Sequence, residues 1–262
     1  MIPDGRAASR APLEPMPLPA VETLRFLERA LPPSPARVLE VGCGDGLVAS
    51  ALALRGYEVT ALDESLAIDE AAGRAAAAHP VRWVETNFLF YEGADDGAPF
   101  DAVLFTRSLH HLSPLDRALD RAAELLRPGG SFVAEEFAVD RVTLQTARWW
   151  YDTEALLVAA DLLPPPDPAL EAVRNPLGRW RQEHAHDPPL ASGHDMLAAA
   201  RERFRIGPAE EAPYLYRYAH ERARPGEIGA RVVARIFEIE SRLIRERDIA
   251  AAGLRVTGTL PE

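Results

Sequence analysis

The chain has 262 residues, of which 47% are hydrophobic and 26% charged, a size and balance that allow one substantial core in a globular protein. Its formal net charge of −11 argues against a nucleic-acid partner, because phosphate backbones are bound by basic surfaces. The single cysteine, Cys43, excludes an intrachain disulfide and a cysteine-rich metal site. The sequence contains no apolar run of about 18 residues, the length that would predict a membrane span, so we expect a cytoplasmic protein.

The first 18 residues are rich in proline and charge, and we expect a flexible leader there. Apolar residues at helical spacing over 20–31 predict a helix that Pro32 and Pro33 end. From residue 37 short β runs alternate with helical stretches, which predicts an α/β fold with a mostly parallel sheet and helices on both faces. We expect strands at 37–41, 58–62, 81–85, 100–106 and 131–137, with helices at 46–54, 64–78 and 114–126.

The rhythm changes after residue 137. A long helical stretch over 140–163 is followed by a proline-rich polar segment that extends to residue 190. Two further strands are expected at 205–213 and 254–260, and between them an amphipathic helix over 228–243 that Gly253 can close.

A turn rich in glycine follows the first strand. Glu40 ends the strand, and Gly42, Gly44 and Gly46 follow at alternate positions. Glycine removes the Cβ atom and tolerates positive φ, so the backbone can approach a ligand closely. The spacing differs from the dinucleotide pattern G-x-G-x-x-G, because Leu47 stands where that pattern has glycine. The turn therefore disfavours an NAD-dependent reductase, while an ordinary strand-to-helix turn remains the structural alternative.

Residues 40–46 resemble motif I of the class I S-adenosylmethionine-dependent methyltransferases, E/D-x-G-x-G-x-G, and the chain is most similar to the bacterial small-molecule type (types 11 and 12). Further resemblances follow in family order over residues 37–137, including the loop at 108–112 and the turn at 127–130. The resemblance implies a Rossmann-like, seven-stranded mixed sheet whose last strand is antiparallel. It also implies S-adenosylmethionine as cofactor and S-adenosylhomocysteine as product.

The same resemblance assigns the segments. Residues 19–139 and 191–262 would form the cofactor-binding domain, and 140–190 a helical lid that determines acceptor specificity. The residues expected to bind the cofactor are Glu40, Gly42, Cys43, Gly44, Gly46, Asp63, Asn87, Phe88 and Thr106.

Two of these residues carry specific roles. Asp63 ends the second strand, and its carboxylate can accept hydrogen bonds from both ribose hydroxyls; the alternative is a helix N-cap. Asn87 stands where the family usually has Asp, and its side chain could meet the adenine amino group.

Candidate bases follow the fourth and fifth strands. His110 and His111 lie at the expected crevice, and imidazole titrates near neutral pH, but the sequence does not distinguish the two from each other or from a structural pair. Glu135 and Glu136 point to opposite faces of their strand, so one should face the crevice unless both are salt-bridged. His184 or His186 could also face an acceptor, whereas their spacing on a proline-flanked segment argues against a metal site.

These features favour methyl transfer to an O or N atom of a small molecule by in-line displacement. The alternatives are a protein or RNA methyltransferase and a non-catalytic regulatory protein that binds the cofactor. Trp149, Trp150 and Tyr151 would wall an aromatic acceptor or simply form core. We expect a monomer or homodimer, with no nucleic-acid or membrane partner and no metal.

Overall fold

The computed structural model describes residues 16–65, 81–95 and 97–262, and within them eight strands form one mixed sheet. The strands are β1 (Arg37–Val41), β2 (Glu58–Asp63), β3 (Arg82–Glu85), β4 (Phe100–Thr106), β5 (Leu126–Phe137), β6 (Arg205–Ile206), β7 (Glu210–Ala212) and β8 (Gly253–Thr259). Their order is β3-β2-β1-β4-β5-β8-β6, and β7 also pairs with β8. Strands β1 to β5 are parallel, and β8 is antiparallel to β5, β6 and β7.

Helices surround this sheet. They are α1 (Leu18–Ala30), α2 (Leu47–Ala53), α3 (Leu115–Leu125), α4 (Leu144–Ala159), α5 (Pro168–Glu171), α6 (Pro176–Glu183), α7 (Gly193–Arg203), α8 (Tyr216–Arg222) and α9 (Glu227–Glu246). Within the described ranges, no helix is both long enough and apolar enough to cross a membrane.

The central strands are apolar on both sides because each face of the sheet carries a core. In β1, Leu39 and Val41 contribute to the core on the face that carries α3 and α7, while Val38 packs with α1 and α2 on the other. In β4, Val103 and Leu104 divide between the same two cores. The near-continuous apolar runs thus follow from burial on both faces.

The expected fold class is confirmed, and most predicted strands agree with the observed ones to within a residue or two. The predicted strand over 205–213 is instead split into β6 and β7. Gly207 and Pro208 separate the two pieces, and proline cannot donate a hydrogen bond to a strand ladder. The sheet therefore has eight strands among the described residues where seven were expected.

Some helix boundaries also differ. A single 3₁₀ turn, Val139–Arg141, precedes α4, which begins after the Thr143 N-cap and ends before Asp161, whose φ of 59° is left-handed. Arg247, also left-handed, ends α9, and Gly253 begins β8 instead, where a Cβ would lie 2.5 Å from the Ala212 carbonyl oxygen. The predicted helix at 64–78 lies almost wholly outside the described residues, as does the predicted leader up to residue 15.

A third apolar cluster joins the segment 140–190 to the chain that follows it. Trp150 and Trp180 are 2% exposed and pack in one cluster with Tyr216 and Val233. The structure therefore gives the aromatic run on α4 a core role. A buried Glu154 adds an ion pair to Arg179 of α6 at 2.6 Å and one to Arg222 of α8.

The carboxylate of Glu240, on α9, fixes the start of α8. It is 1% exposed and accepts backbone hydrogen bonds from Tyr214 (2.7 Å), Leu215 (2.9 Å) and Tyr216 (2.9 Å). Because N–H groups at a helix start have no partner within the helix, a buried side chain must satisfy them here.

Replacing Glu240 with Ala should lower the free energy of unfolding by about 3 kcal/mol or more, since three buried N–H groups would lose their acceptor. Urea denaturation measures the change. Glu238→Ala, on the exposed face of the same helix, is the matched control and should cost less than about 0.5 kcal/mol. Equal stabilities for the two variants would contradict this role for Glu240.

Candidate active site

A cavity of about 450 Å³ lies at the carboxyl ends of β1 and β4. These strands are neighbours at the centre of the sheet, where the strand order reverses direction, and ligands of open α/β sheets bind at such points. The walls come from the turn after β1, the end of β4, the start of α1 and the segment around α8. The volume falls in the range of small-molecule sites.

The glycine turn forms one wall of this cavity. Gly42, Gly44 and Gly46 have φ values of 71°, 52° and 70°, all in the region that side chains other than glycine rarely adopt. A Cβ on Gly42 would lie 2.4 Å from the Ser108 Cβ, whereas a Cβ on Gly44 would meet nothing within 4 Å. Gly42 is thus required by packing against the β4 loop, and Gly44 leaves open space for a ligand.

Glu40 is a buried acid at the edge of the same cavity. Its Oε1 accepts a 2.8 Å hydrogen bond from the Thr106 hydroxyl, and its Oε2 is buried with no partner among the described residues. Burial raises the pKa of Glu40 to about 7, although the Thr106 hydrogen bond and the charge of Arg107 act in the opposite direction. An unpartnered buried oxygen of this kind can receive a cationic or hydrogen-bond-donating ligand group.

Asp63, at the end of β2, braces the glycine turn. Its Oδ2 accepts from the Gly44 N–H at 2.7 Å and its Oδ1 from the Ser65 N–H at 3.0 Å. Each carboxylate oxygen keeps a second lone pair, so these bonds leave capacity for a ribose hydroxyl.

Asn87 and Phe88 are not among the described residues that line the cavity. The Asn87 Oδ1 caps the following 3₁₀ turn by accepting from Leu89 N at 2.8 Å, and its Nδ2 donates to Glu64 at 2.6 Å. The Phe88 ring is 1% exposed and packs edge-on against Phe105 in the core. Any contact from Phe88 to a cofactor would therefore have to come from its backbone, because its ring is fully used in packing.

The structure distinguishes the two adjacent histidines. His110 is 4% exposed, and its Nδ1 lies 2.5 Å from Oε2 of Glu136, which is itself buried. The other oxygen of Glu136 accepts the N–H groups of Ser108 (3.0 Å) and Leu109 (2.9 Å). Since the carboxylate acts as acceptor throughout, Nδ1 of His110 donates and Nε2 is left as the acceptor.

His111 is exposed and also borders the cavity. Its ring lies 4.2 Å from that of His110 and 6.1 Å from that of His186. Although the residue is exposed, partial desolvation of its imidazole lowers the pKa of His111, as does the neighbouring His110. The side chain of His184 is occupied elsewhere, with Nδ1 at 2.9 Å from the Trp180 carbonyl and Nε2 at 2.8 Å from the Tyr218 hydroxyl.

Glu135 and Glu136 do point to opposite faces, as their alternation on β5 predicts. Glu135 is 3% exposed and forms ion pairs with Arg217 at 2.8 Å and Arg255 at 2.6 Å. These arginines outweigh the effect of burial and lower the pKa of Glu135. The salt-bridged alternative therefore applies to Glu135, whose charge ties α1, β5, α8 and β8 together beneath the cavity.

Several cavity residues were not identified from the sequence. Pro19 and Thr23 of α1, Tyr214, His220 and Arg107 all border the cavity. Only Arg107 carries a signal in the sequence, because it directly follows a buried strand at the sheet's carboxyl edge. The others arrive from segments whose position depends on packing.

The family model described as "Methyltransferase domain" matches residues 18–162, more than half of the chain. The chain belongs to the class I S-adenosylmethionine-dependent methyltransferase family. S-adenosylmethionine is the family's cofactor, as the resemblance of residues 40–46 to motif I implied. The matched residues include the glycine turn, His110 and His111.

Proteins with similar sequences support the family assignment. An uncharacterized methyltransferase from Mycobacterium bovis is 35% identical over 47% of this chain and 61% of its own length. A ubiquinone biosynthesis O-methyltransferase from Xylella fastidiosa is 36% identical over 44% of this chain and 48% of its own length. The similarity thus spans about half to three fifths of these relatives.

Solved structures agree with the methyltransferase fold. A putative S-adenosylmethionine-dependent methyltransferase from Listeria monocytogenes has a TM-score of 0.58 and 17% identity, covering 93% of this chain and all of that one. At this identity the similarity concerns the fold alone.

Within this methyltransferase domain, seven of the eleven predicted site residues border the cavity. They are Glu40, Gly42, Cys43, Gly44, Thr106, His110 and His111. Gly46 begins α2 as its left-handed N-cap, and Asp63 acts on the turn through Gly44. Burial raises the pKa of the Cys43 thiol, which keeps it neutral. The described residues hold no group of three or more His, Cys, Asp or Glu that could bind a metal ion.

Gly42→Ala should lower the free energy of unfolding by about 2–4 kcal/mol, because the new methyl group collides with Ser108 and the residue must keep a left-handed backbone. Gly44→Ala meets no neighbour and should cost only about 1 kcal/mol for its backbone. Chemical denaturation without cofactor measures both. If Gly44→Ala were the more damaging of the two, the packing role of Gly42 would be wrong.

Proposed function

We propose that this protein transfers a methyl group from S-adenosylmethionine to a hydroxyl oxygen of a small molecule, with His110 as general base. The observation that carries the proposal is the buried His110–Glu136 pair, whose His110 borders the same cavity as the glycine turn. When bound, S-adenosylmethionine supplies an electrophilic methyl group attached to a sulfonium sulfur. The protein then has to orient the acceptor and remove its proton.

The residues around the turn fit the cofactor. Open space at Gly44 allows close approach to the backbone, and the free lone pairs of Asp63 suit vicinal hydroxyls. The unpartnered Oε2 of Glu40 suits an ammonium group such as that of the cofactor's amino-acid end. We assign Gly46, Asn87 and Phe88 supporting roles, in which they shape the backbone around this site.

His110 has the arrangement of an oriented base. Glu136 accepts the Nδ1 proton of His110, which fixes the tautomer and keeps Nε2 free to take a hydroxyl proton. The carboxylate also stabilises the imidazolium that forms. A free amine acceptor would need no such base, so the pair favours oxygen over nitrogen as the acceptor atom.

The cavity favours a small acceptor over a protein or an RNA. Among the residues that the structure describes, its lining includes one arginine, Arg107, together with the acids Glu40, Asp45 and Glu221, whereas RNA-binding grooves are broadly basic. One relative is named as an O-methyltransferase of ubiquinone biosynthesis, which agrees with a small acceptor. We further propose that the segment 140–190 covers the acceptor, since its His186 approaches His111.

The direct test is a screen of small hydroxyl and amine compounds with methyl-labelled S-adenosylmethionine, followed by mass spectrometry of the products. Methylated hydroxyls would support the proposal. Methylation confined to amines, proteins or RNA would overturn it. Tight cofactor binding with no transfer to any acceptor would favour the non-catalytic alternative.

His110→Asn should lower kcat by about 100-fold or more, because the asparagine amide can still donate to Glu136 but no longer offers Nε2. His111→Asn is the matched control and should change kcat by less than about fivefold. Calorimetry with S-adenosylhomocysteine should give unchanged affinity for both variants. A near-normal kcat for His110→Asn would exclude His110 as the base.

The affinity for S-adenosylhomocysteine should fall as the pH drops below 7. The raised pKa of Glu40, about 7, means that the carboxyl becomes neutral there and no longer attracts the ligand's ammonium group. Binding would then require release of one proton, so affinity should fall up to about tenfold per pH unit. Calorimetry between pH 5.5 and 8 measures this, and Glu40→Gln should bind more weakly with a flat profile. A wild-type profile as flat as the variant's would rule out this role.

A further inference from the structure

Arg107 stands out among the residues that line the cavity. It directly follows β4, three residues before His110, and its φ of 68° is in the left-handed region. Long side chains rarely occupy this region, and they persist there only where surrounding contacts hold the backbone. Here the Arg107 N–H donates to the Glu135 carbonyl at 2.8 Å, which holds that backbone against the end of β5.

The guanidinium of Arg107 has no hydrogen bond or ion pair with any residue that the structure describes. Arg107 is exposed, whereas the buried Arg217 and the half-buried Arg255 near the site are both paired with Glu135. Among the described residues that line the cavity, Arg107 is therefore the arginine available to a ligand.

Its charge acts on groups at both ends of the cavity. Burial lowers the pKa of His220, and the charge of Arg107 lowers it further. Burial raises the pKa values of Glu40 and Tyr214, and the charge of Arg107 acts to lower both. Arg107 thus shares one cavity with the glycine turn, where the cofactor is proposed to bind, and with Tyr214 and His220, and its charge reaches groups on both.

We infer that Arg107 binds a carboxylate in this cavity, so that it determines specificity for a ligand carrying one such group. The planar guanidinium matches a carboxylate through two parallel hydrogen bonds. A phosphate dianion is disfavoured, because Glu40, Asp45 and Glu221 border the same space and would repel its second charge. The inference rests on the proposed function, and the carboxylate has two sources: the amino-acid end of the cofactor or an acidic acceptor.

Calorimetry separates the two sources. The first arm compares S-adenosylhomocysteine with 5′-methylthioadenosine, which lacks the amino-acid end. The second arm titrates the S-adenosylhomocysteine complex with two acid–amide pairs, 4-hydroxybenzoate with 4-hydroxybenzamide and 3-hydroxybutyrate with 3-hydroxybutyramide. Each arm uses the wild type, Arg107→Gln and Arg107→Asn. Asparagine tolerates the left-handed backbone, so that variant removes the cation while keeping the turn.

Arg148→Gln is the matched control, since Arg148 is exposed on α4 and is not among the cavity-lining residues. It should bind every probe as the wild type does.

If the cofactor is the source, the Arg107 variants should bind S-adenosylhomocysteine about tenfold more weakly and 5′-methylthioadenosine equally well. If an acidic acceptor is the source, the wild-type complex should prefer an acid over its amide by about tenfold, and the variants should lose that preference. Variants within twofold of the wild type for every probe would overturn the inference. Because both arms measure binding, this result is distinct from a failure of methyl transfer itself.

Discussion

The contact between Gly42 and Ser108 is the constraint on which the site depends. The turn after β1 and the turn after β4 approach so closely that a single added methyl group would have to displace Ser108. The Ser108 hydroxyl donates to the Val41 carbonyl, and the Ser108 N–H donates to Glu136. One residue therefore links the turn proposed to hold the cofactor to the carboxylate that orients His110. The turn proposed to bind the methyl donor and the proposed base are therefore positioned by the same few hydrogen bonds.

The adjacent acids of β5 serve this arrangement from opposite faces. Glu136 accepts hydrogen bonds from the loop that carries His110. On the opposite face of the sheet, Glu135 forms ion pairs with Arg217 and Arg255. Burying a carboxylate without partners is costly, so each acid requires its own set of donors or cations. The Glu135 cluster uses residues far apart in the chain, and it holds α1 and α8 against the sheet where both border the cavity.

The floor and the outer wall of the cavity are held in place by different contacts. Its floor is rigid, because the glycine turn and the β4 loop are bound to the sheet. Its outer wall depends on Tyr214 and α8, whose start is held by Glu240, and on the aromatic cluster shared with the segment 140–190. Under the proposed function, changes in the outer wall would alter acceptor specificity while the proposed cofactor turn is kept. Arg107 borders the same cavity, and its left-handed backbone is held there by the hydrogen bond to the Glu135 carbonyl.

The sequence by itself determined the sheet's central strands and the glycine turn. Apolar runs buried on both faces and glycines at alternate positions are local patterns that can be recognised in the sequence, so motif I and the bounds of β1, β2 and β4 could be predicted. The paired histidines were also found, but which of them meets Glu136 was not, because that depends on how a loop folds back over β5. The core role of Phe88, the split of the predicted strand over 205–213 and the position of Arg107 beside Tyr214 and His220 were decided only by tertiary structure. These features depend on which side chains meet across distant segments, and periodicity in one segment carries no information about its partner.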